Sequence, residues 1–341
     1  MKEENNEKQF DEKIYQSFIQ DSIKDYQKRD EISEETQKQI IKKGRNLAFR
    51  TNIMVSLAVL LLIVPVMTLS SYLYYAIGGK ANKLIDIATK TIYVTEPNIS
   101  LEEMELEEDI NFFSMDIYFD VYKRIGREDY KAGDYQIYFA FDKPGFPKRN
   151  MALERPLPEI ANMETDYLIP PKASQGFSND WSILQGLPDG TVGEVYLSFR
   201  SNIPPENLEK LLGNKVEVRW VAVDTGIEVN SVDKDGYSIA PIGYPMQIDQ
   251  TTWSPFNGRE QTNQEVFMDI LEFLKKNEKP AAKIARAKSL ALEERIPYIK
   301  KNGIKIYGAV VTGPTTELIK LQDNKEIRGM KIGEVKLWNW K

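Results

Sequence analysis

The chain has 341 residues, of which 28% are charged, a formal net charge of −6, and neither cysteine nor histidine. Those two absences exclude disulfides, thiolate and imidazole metal sites, Ser-His-Asp and Cys-His nucleophile arrangements, and any histidine pH switch. The acidic balance argues against nucleic acid as a partner, because neutralising phosphates needs a clustered basic face.

Residues 1–31 carry charges of both signs and one helical pattern, in which Phe10, Ile14, Phe18, Ile19, Ile23 and Tyr26 recur at spacings of three and four. Such a face is too small to fold alone. It reads either as a solvated helix lying against the membrane surface or as an amphipathic helix that inserts its Phe and Ile side chains into a partner's groove and orders on binding. The second reading fits better, because the polar face mixes signs where a membrane-surface helix is Lys-rich. Phe10, Ile14, Phe18, Ile19 and Ile23 are therefore the candidate partner-binding residues. Ser33 is placed to cap a second helix, which EETQKQIIKKGRNLAFR carries into the next segment.

That segment, TNIMVSLAVLLLIVPVMTLSSYLYYAIGG at residues 51–79, contains no charged residue. As a helix rising about 1.5 Å per residue it extends roughly 43 Å, more than the ~30 Å of a hydrocarbon core. A buried core helix is usually shorter and keeps a polar stripe, and a signal peptide has its positive start near residue 1. The segment reads as a retained transmembrane helix, with Pro65 predicting a bend. Lys38, Lys42, Lys43, Arg45 and Arg50 precede it, whereas Lys80, Lys83 and Lys90 follow, which predicts a cytoplasmic N-terminus. Tyr72, Tyr74 and Tyr75 then fall at the outer interface, and the basic cluster before the span meets anionic membrane lipid.

Beyond the span, residues 80–95 are expected to continue the helix briefly before IYVT turns extended. Residues 96–109, with seven acidic side chains and no basic one, read as a linker or first loop, and SLEEMELEED lacks the spacing of a calcium loop. NFFSMDIYFDVYKRIG and DYQIYFAFD have the β-branched and aromatic enrichment of strands, joined through EDYKAGD as a turn-rich connector. From Pro144 to about Gly190 the chain is rich in Pro, Asn and Gly and marks a domain boundary or long loop.

The C-terminal part holds an internal resemblance. VYLSFRSNIPPENLEKLLGNKVEVRWVAV and IYGAVVTGPTTELIKLQDNKEIRGMKIGEV each read strand, Pro-opened helix, strand; Pro205 corresponds to Pro314 and Asn214-Lys215 to Asn324-Lys325. Two such βαβ units predict a ferredoxin-like layer, and the fold class is α+β behind a single N-terminal transmembrane helix. Between the units, QTNQEVFMDILEFLKKN and KIARAKSLALEERIPYIKKNG read as two or three helices, the last stopped at Asn302-Gly303. The expected division is 1–50 cytoplasmic, 51–79 transmembrane, 80–175 an extracytoplasmic region with strands, and 176–341 an extracytoplasmic C-terminal domain. No carboxylate pair stands out as catalytic. VTGPTTEL lacks the Gly-Lys-Thr of a phosphate loop, and Trp338 and Trp340 read as packing residues. No catalytic residue, cofactor or metal is expected.

The stretches GRNLAFRTNIMVSLAVLLL, VYKRIGREDYKAGDY, NKVEVRWVAVDTG and especially GIKIYGAVVTGPTTELIKLQ, with a closing Trp-bearing strand, resemble the sigma factor regulator N-terminal and C-terminal families of Firmicutes. These are membrane-anchored anti-sigma factors related to the anti-sigma-M regulator. The resemblance implies that the inside segment sequesters an extracytoplasmic-function sigma factor while the outside domain reports envelope conditions, with a membrane co-regulator or a protease as a further partner. Many anti-sigma factors carry a His-x3-Cys-x2-Cys zinc module, which this chain cannot form, so its inhibitory segment must act as a metal-free helix. The alternative function is an extracytoplasmic binding or cell-wall assembly module with a single-pass anchor, and a membrane-tethered carboxylate hydrolase is a weaker third.

Overall fold

In the computed structural model the described residues are 2–30, 33–101, 107–151, 167–173, 179–230, 239, 241–247, 254–257 and 260–340. They belong to two compact units, residues 1–67 and 68–341. The first holds helix α1 (Lys2–Asp30) and most of α2 (Glu34–Ala76). Ser33 caps α2 as the sequence predicts: its Oγ accepts the Thr36 N–H at 3.3 Å and its carbonyl the Gln37 N–H at 3.0 Å. Glu34 and Glu35 in the first turn complement the positive helix end. The helical run containing α2 is long and apolar enough to cross a membrane, by length and composition, and Pro65 lies inside it.

The second unit begins with the last turns of α2. Tandem glycines, Gly78 and Gly79, then take left-handed φ values of 70° and 65°, which L-residues avoid, and the helix is interrupted there. Helix α3 (Lys80–Thr95) follows. IYVT does not turn extended as predicted but completes this helix, with Ile92, Tyr93, Val94 and Thr95 all buried. The Thr91 and Thr95 hydroxyls donate to the carbonyls of Ile87 (2.6 Å) and Thr91 (2.7 Å). A β-branched residue costs a helix at most about 0.7 kcal/mol, whereas burying an Ile or Val side chain contributes about 1.5–3 kcal/mol, so packing decides.

A six-stranded antiparallel sheet comprises β1 (Ser100–Leu101), β2 (Glu107–Asn111), β3 (Ser114–Ile125), β4 (Glu128–Ala140), β5 (Lys143–Pro144) and β6 (Lys148–Met151). Two expectations are corrected here. The acidic run is not simply a linker, since β1 and β2 at its ends both pair with β3, while residues 102–106 lie outside the described residues. EDYKAGD is not the connector but the start of β4; the turn is Gly126–Arg127, and the Asn339 side chain donates to the Ile125 carbonyl (2.8 Å) and accepts from the Arg127 N–H (3.0 Å). Gly133 is conspicuous because it marks a register shift where β6 crosses closely: a Cβ there would lie 2.2 Å from the Asn150 carbonyl oxygen. The turns of this sheet also hold the end of α2, the Phe113 N–H donating to Ser71 Oγ (2.9 Å) and the Tyr75 hydroxyl to the Phe141 carbonyl (3.1 Å).

After helix α4 (Trp181–Gln185) comes a second antiparallel sheet, of β7 (Thr191–Ile203), β8 (Glu217–Val223), β9 (Gly243–Pro245), β10 (Ile306–Pro314) and β11 (Ile327–Leu337). Its order is β11-β7-β10-β8-β9, with β7 and β8 parallel to each other on either side of β10. The two strand–helix–strand units thus interleave in the ferredoxin-like order, carrying helices α5 (Leu208–Leu212) and α9 (Thr315–Lys320). Their prolines are not equivalent: Pro205 opens a 3-10 turn at its first position, whereas Pro314 is the cap residue before α9. Inserted between the units are α6 (Asn263–Lys275), capped by a Thr262–Glu265 box, α7 (Glu278–Ile284) and α8 (Leu292–Asn302), which ends at Gly303 as expected. One hydrophobic core runs from α3 and β3–β4 through to α6–α9 and the second sheet. Residues 152–166 and 174–178, in the stretch expected to be a boundary or loop, lie outside the described residues.

The two sheets also meet through a buried polar junction. Alternate residues of β3 from Met115 to Ile125 are buried, and Lys123 is one of them. Its Nζ lies 3.2 Å from Glu194 Oε2 of β7, with neither side chain exposed, and donates to the Tyr196 hydroxyl at 3.1 Å. The other Glu194 oxygen accepts from Asn98 Nδ2 (2.8 Å), and Asn98 Oδ1 in turn accepts from Arg219 Nε of β8 (3.3 Å). Glu334 of β11 completes the group, its N–H donating to Glu194 (3.4 Å) and its carboxylate 3.5 Å from Lys336. Burial pushes the Glu334 carboxyl above its ordinary value, opposed by Lys123 and reinforced by Glu194.

Removing one partner of a buried pair strands the other charge, which costs about 3–5 kcal/mol. Lys123→Met or Glu194→Leu alone is expected to lower unfolding stability by that amount, and the double variant to recover most of it; chemical denaturation of the detergent-solubilised chain in a double-mutant cycle measures the coupling. A carboxyl raised in the folded state gives stability that is present below its ordinary value of 4.5 and lost as pH rises through the folded value. Glu334→Gln should therefore flatten the fall in stability above pH 4.5, whereas parallel melting curves for the two proteins across that range would contradict the assignment.

Candidate functional site

Helix α1 contains all five residues predicted to bind a partner, although the Phe10 side chain lies outside the described residues. At 100° per residue Phe10, Ile14 and Phe18 align in one row, whereas Ile19 and Ile23 align in another, roughly 160° further round the helix. The expected single face is thus two ridges of i, i+4 neighbours. Tyr15, missed by the sequence reading, stands one turn before Ile19 and is 68% exposed. Its signal was its spacing of four and eight residues from Ile19 and Ile23. Phe18 is 74% exposed and Ile14 51%. Every residue from Glu12 to Val66 whose exposure is described is exposed, so no described residue of the first unit covers these side chains. A charged helix of this kind has little intrinsic stability, and a partner that covers the apolar ridges supplies what the chain does not.

Lys13 and Gln20 lie between the two rows, Gln16 beside Ile23, and Glu12 in the row of Ile19 and Ile23. Lys42, Lys43, Arg45 and Arg50 are exposed on α2 immediately before its charge-free stretch. Elsewhere the residues weighed for chemistry are engaged in packing. In VTGPTTEL, Thr312 Oγ1 accepts from the Gly126 N–H (2.6 Å) and donates to the Gly193 carbonyl (2.9 Å), and the Thr315 hydroxyl meets that of Thr191 at 3.0 Å. This turn is a strand-to-helix corner tied to the first sheet. Trp340 packs under the Arg127 guanidinium at 5.0 Å, but Trp338 is half exposed, so its expected packing role is not met. Among the described residues no three acidic side chains converge on a position that would hold a metal ion.

Residues 38–130 match the family described as sigma factor regulator N-terminal, and residues 184–334 the family described as sigma factor regulator C-terminal. The polar junction joins these two regions, Asn98 and Lys123 lying in the first and Glu194, Arg219 and Glu334 in or at the end of the second. Over 335 residues the chain is 33% identical to the probable anti-sigma-M factor YhdL of Bacillus subtilis (strain 168), an alignment that covers 96% of this chain and 90% of that protein. No solved structure matches. With both regulator regions present in order and the likeness running nearly end to end, the chain belongs to the sigma factor regulator family as an anti-sigma-M-like anti-sigma factor.

Proposed function

We propose that residues 1–50 lie in the cytoplasm and hold an extracytoplasmic-function sigma factor through the two apolar ridges of α1, that 51–79 cross the membrane, and that 80–341 stand outside and report envelope conditions. The outside part divides into 80–175, which contains the end of the N-terminal regulator match, and 176–341, which contains the whole of the C-terminal one. The observation that carries this reading is the exposure of Ile14, Phe18, Ile19 and Ile23, 42–74% each, on a helix that no described residue of its own unit covers, in a chain of an anti-sigma family. Each ridge suits a hydrophobic groove, where a helix docks by its i and i+4 anchors, and a partner that takes both closes around the helix from two sides. Lacking Cys and His, the segment binds without zinc. Release follows when an outside event changes the population of two arrangements of the chain, through a membrane co-regulator, or exposes it to a protease.

Changing Phe10, Ile14 and Phe18 together to Asp, or Ile19 and Ile23 together to Asp, is expected to weaken sigma binding by at least about 3 kcal/mol, more than a hundredfold. A sigma-dependent reporter should then be constitutive at unchanged membrane levels of the regulator. Full inhibition by both variants would remove α1 as the contact. Deleting residues 1–35 without effect on transcription would favour the wall-assembly reading instead. The absence of native cysteine makes topology directly measurable. A membrane-impermeant maleimide applied to intact protoplasts should label Asp323→Cys and leave Glu35→Cys unlabelled, and the reverse pattern would invert the orientation.

A further inference from the structure

The second unit holds a cleft of about 920 Å³ that the anti-sigma assignment does not use. Seven lysines line it, among them Lys80, Lys83, Lys143 and Lys279, against two carboxylates, Asp142 and Glu278. This is a local reversal of charge in a chain whose net charge is −6. Glu278 is already occupied, accepting from the Ser289 hydroxyl (2.7 Å) and the Leu290 N–H (3.1 Å). Some lysines are partnered: Lys275 lies 2.9 Å from Glu293, and Lys80 sits 3.6 Å above the Tyr74 ring. Among the described residues, Lys83, Lys143, Lys276 and Lys279 have no acidic oxygen within ion-pair distance. The floor between these ammonium groups is apolar, formed by Leu84 and Ile87 of α3 with Tyr74 and Phe141. Several unneutralised lysines around an apolar floor favour an anion attached to a hydrocarbon body over a simple salt ion.

The cleft's place in the chain narrows the source of that anion. Lys80 follows directly on the charge-free stretch 51–79, and Lys83 lies only one helical turn further along α3. Aromatic rings surround the same region. Tyr74, Phe113 and Phe141 form a cluster with centroids 5.2–6.2 Å apart, and Phe112, Phe141 and Phe146 expose their rings to solvent. Aromatic side chains with lysines beside the end of an apolar span match the headgroup layer of a bilayer, where rings settle and ammonium groups reach phosphates. Hydrogen bonds from lysines to phosphate oxygens are charge-assisted.

We infer that this cleft binds the phosphate-bearing headgroup of an anionic lipid in the leaflet where residue 79 leaves the membrane. The inference rests on 51–79 being a transmembrane span, and it gives the outside unit a ligand class. The phosphate sits among Lys83, Lys143 and Lys279, and the first carbons of the lipid lie on Leu84, Ile87 and Phe141.

The test uses the full-length chain in phosphatidylcholine nanodiscs doped with a minor fraction of phosphatidic acid, with lipids retained by the released protein identified by native mass spectrometry. Retained phosphatidic acid should exceed its bulk proportion by about tenfold or more. The triple variant Lys83→Glu, Lys143→Glu, Lys279→Glu should lose the enrichment and the corresponding Arg variant keep it. The altered side chains are exposed, and unchanged melting of the Glu variant shows that the unit remains folded. Embedded protein without enrichment overturns the inference. So does equal retention by the Glu variant. Displacement by sodium phosphate or glycerol 3-phosphate at matched concentration would assign the cleft to soluble phosphates and overturn the lipid source, and preferential binding of soluble poly(glycerol phosphate) would assign it to an anionic polymer. Failure of the chain to co-elute with nanodiscs at all would instead overturn the span.

Discussion

The organisation of the second unit depends on one buried carboxylate. Glu194 has no exposure to solvent, so each of its oxygens must find a donor within the protein. Those donors come from three separate parts of the chain: Asn98 after α3, Lys123 on β3 and the backbone of β11 at Glu334. None is near Glu194 in sequence, and all are in place only when both sheets have formed in register. A charge so placed contributes little net stability over an apolar pair, but it makes misassembled arrangements costly. This accounts for side chains from both regulator regions, matched separately as families, packing into one main core cluster.

The features legible from sequence were those in which local pattern and final environment agree. The charge-free run at 51–79, the Ser33 cap, the Asn302-Gly303 stop and the strand–helix–strand repeat each carry their cause within a few residues. IYVT was misread because its strand-like composition yields to the burial of Ile92 and Val94, a property of α3's neighbours. EDYKAGD was misread because Gly133 looks like a turn glycine, whereas it is small so that β6 can cross it; the Asn339 that braces the true turn is more than 200 residues away in the chain. Lys123 was legible in principle. It stands at the same parity as Met115, Ile117, Phe119 and Val121, and a lysine on the inward side of a strand implies a buried acid. What sequence could not supply was which acid.

The two units also differ in what holds them together. Residues 68–341 fold around a core that includes side chains from both sheets and α3, whereas the described part of 12–66 buries nothing. A helix without a core responds to its surroundings, and α1 leaves Phe18 74% and Ile14 51% exposed. For an anti-sigma factor without a zinc module this is a physically consistent arrangement, since the ordering that zinc supplies elsewhere has to come from contact with another protein.

The grip on the end of α2 has a mechanical consequence. Gly78 and Gly79 end the regular helix, so α2 and α3 do not act as one rod. Instead Ser71 and Tyr75 are hydrogen-bonded to the backbone at Phe113 and Phe141, and Tyr74 meets those two stacked rings edge-on. Twisting α2 about its own axis would break both hydrogen bonds and unstack the aromatic trio, whereas a rearrangement of the β-turns that moves Phe113 and Phe141 would carry the helix end with it. The last turns of α2, from Thr68 on, are thus seated like a shaft's end in a collar made by the sheet, and the position of the collar sets how that end is turned.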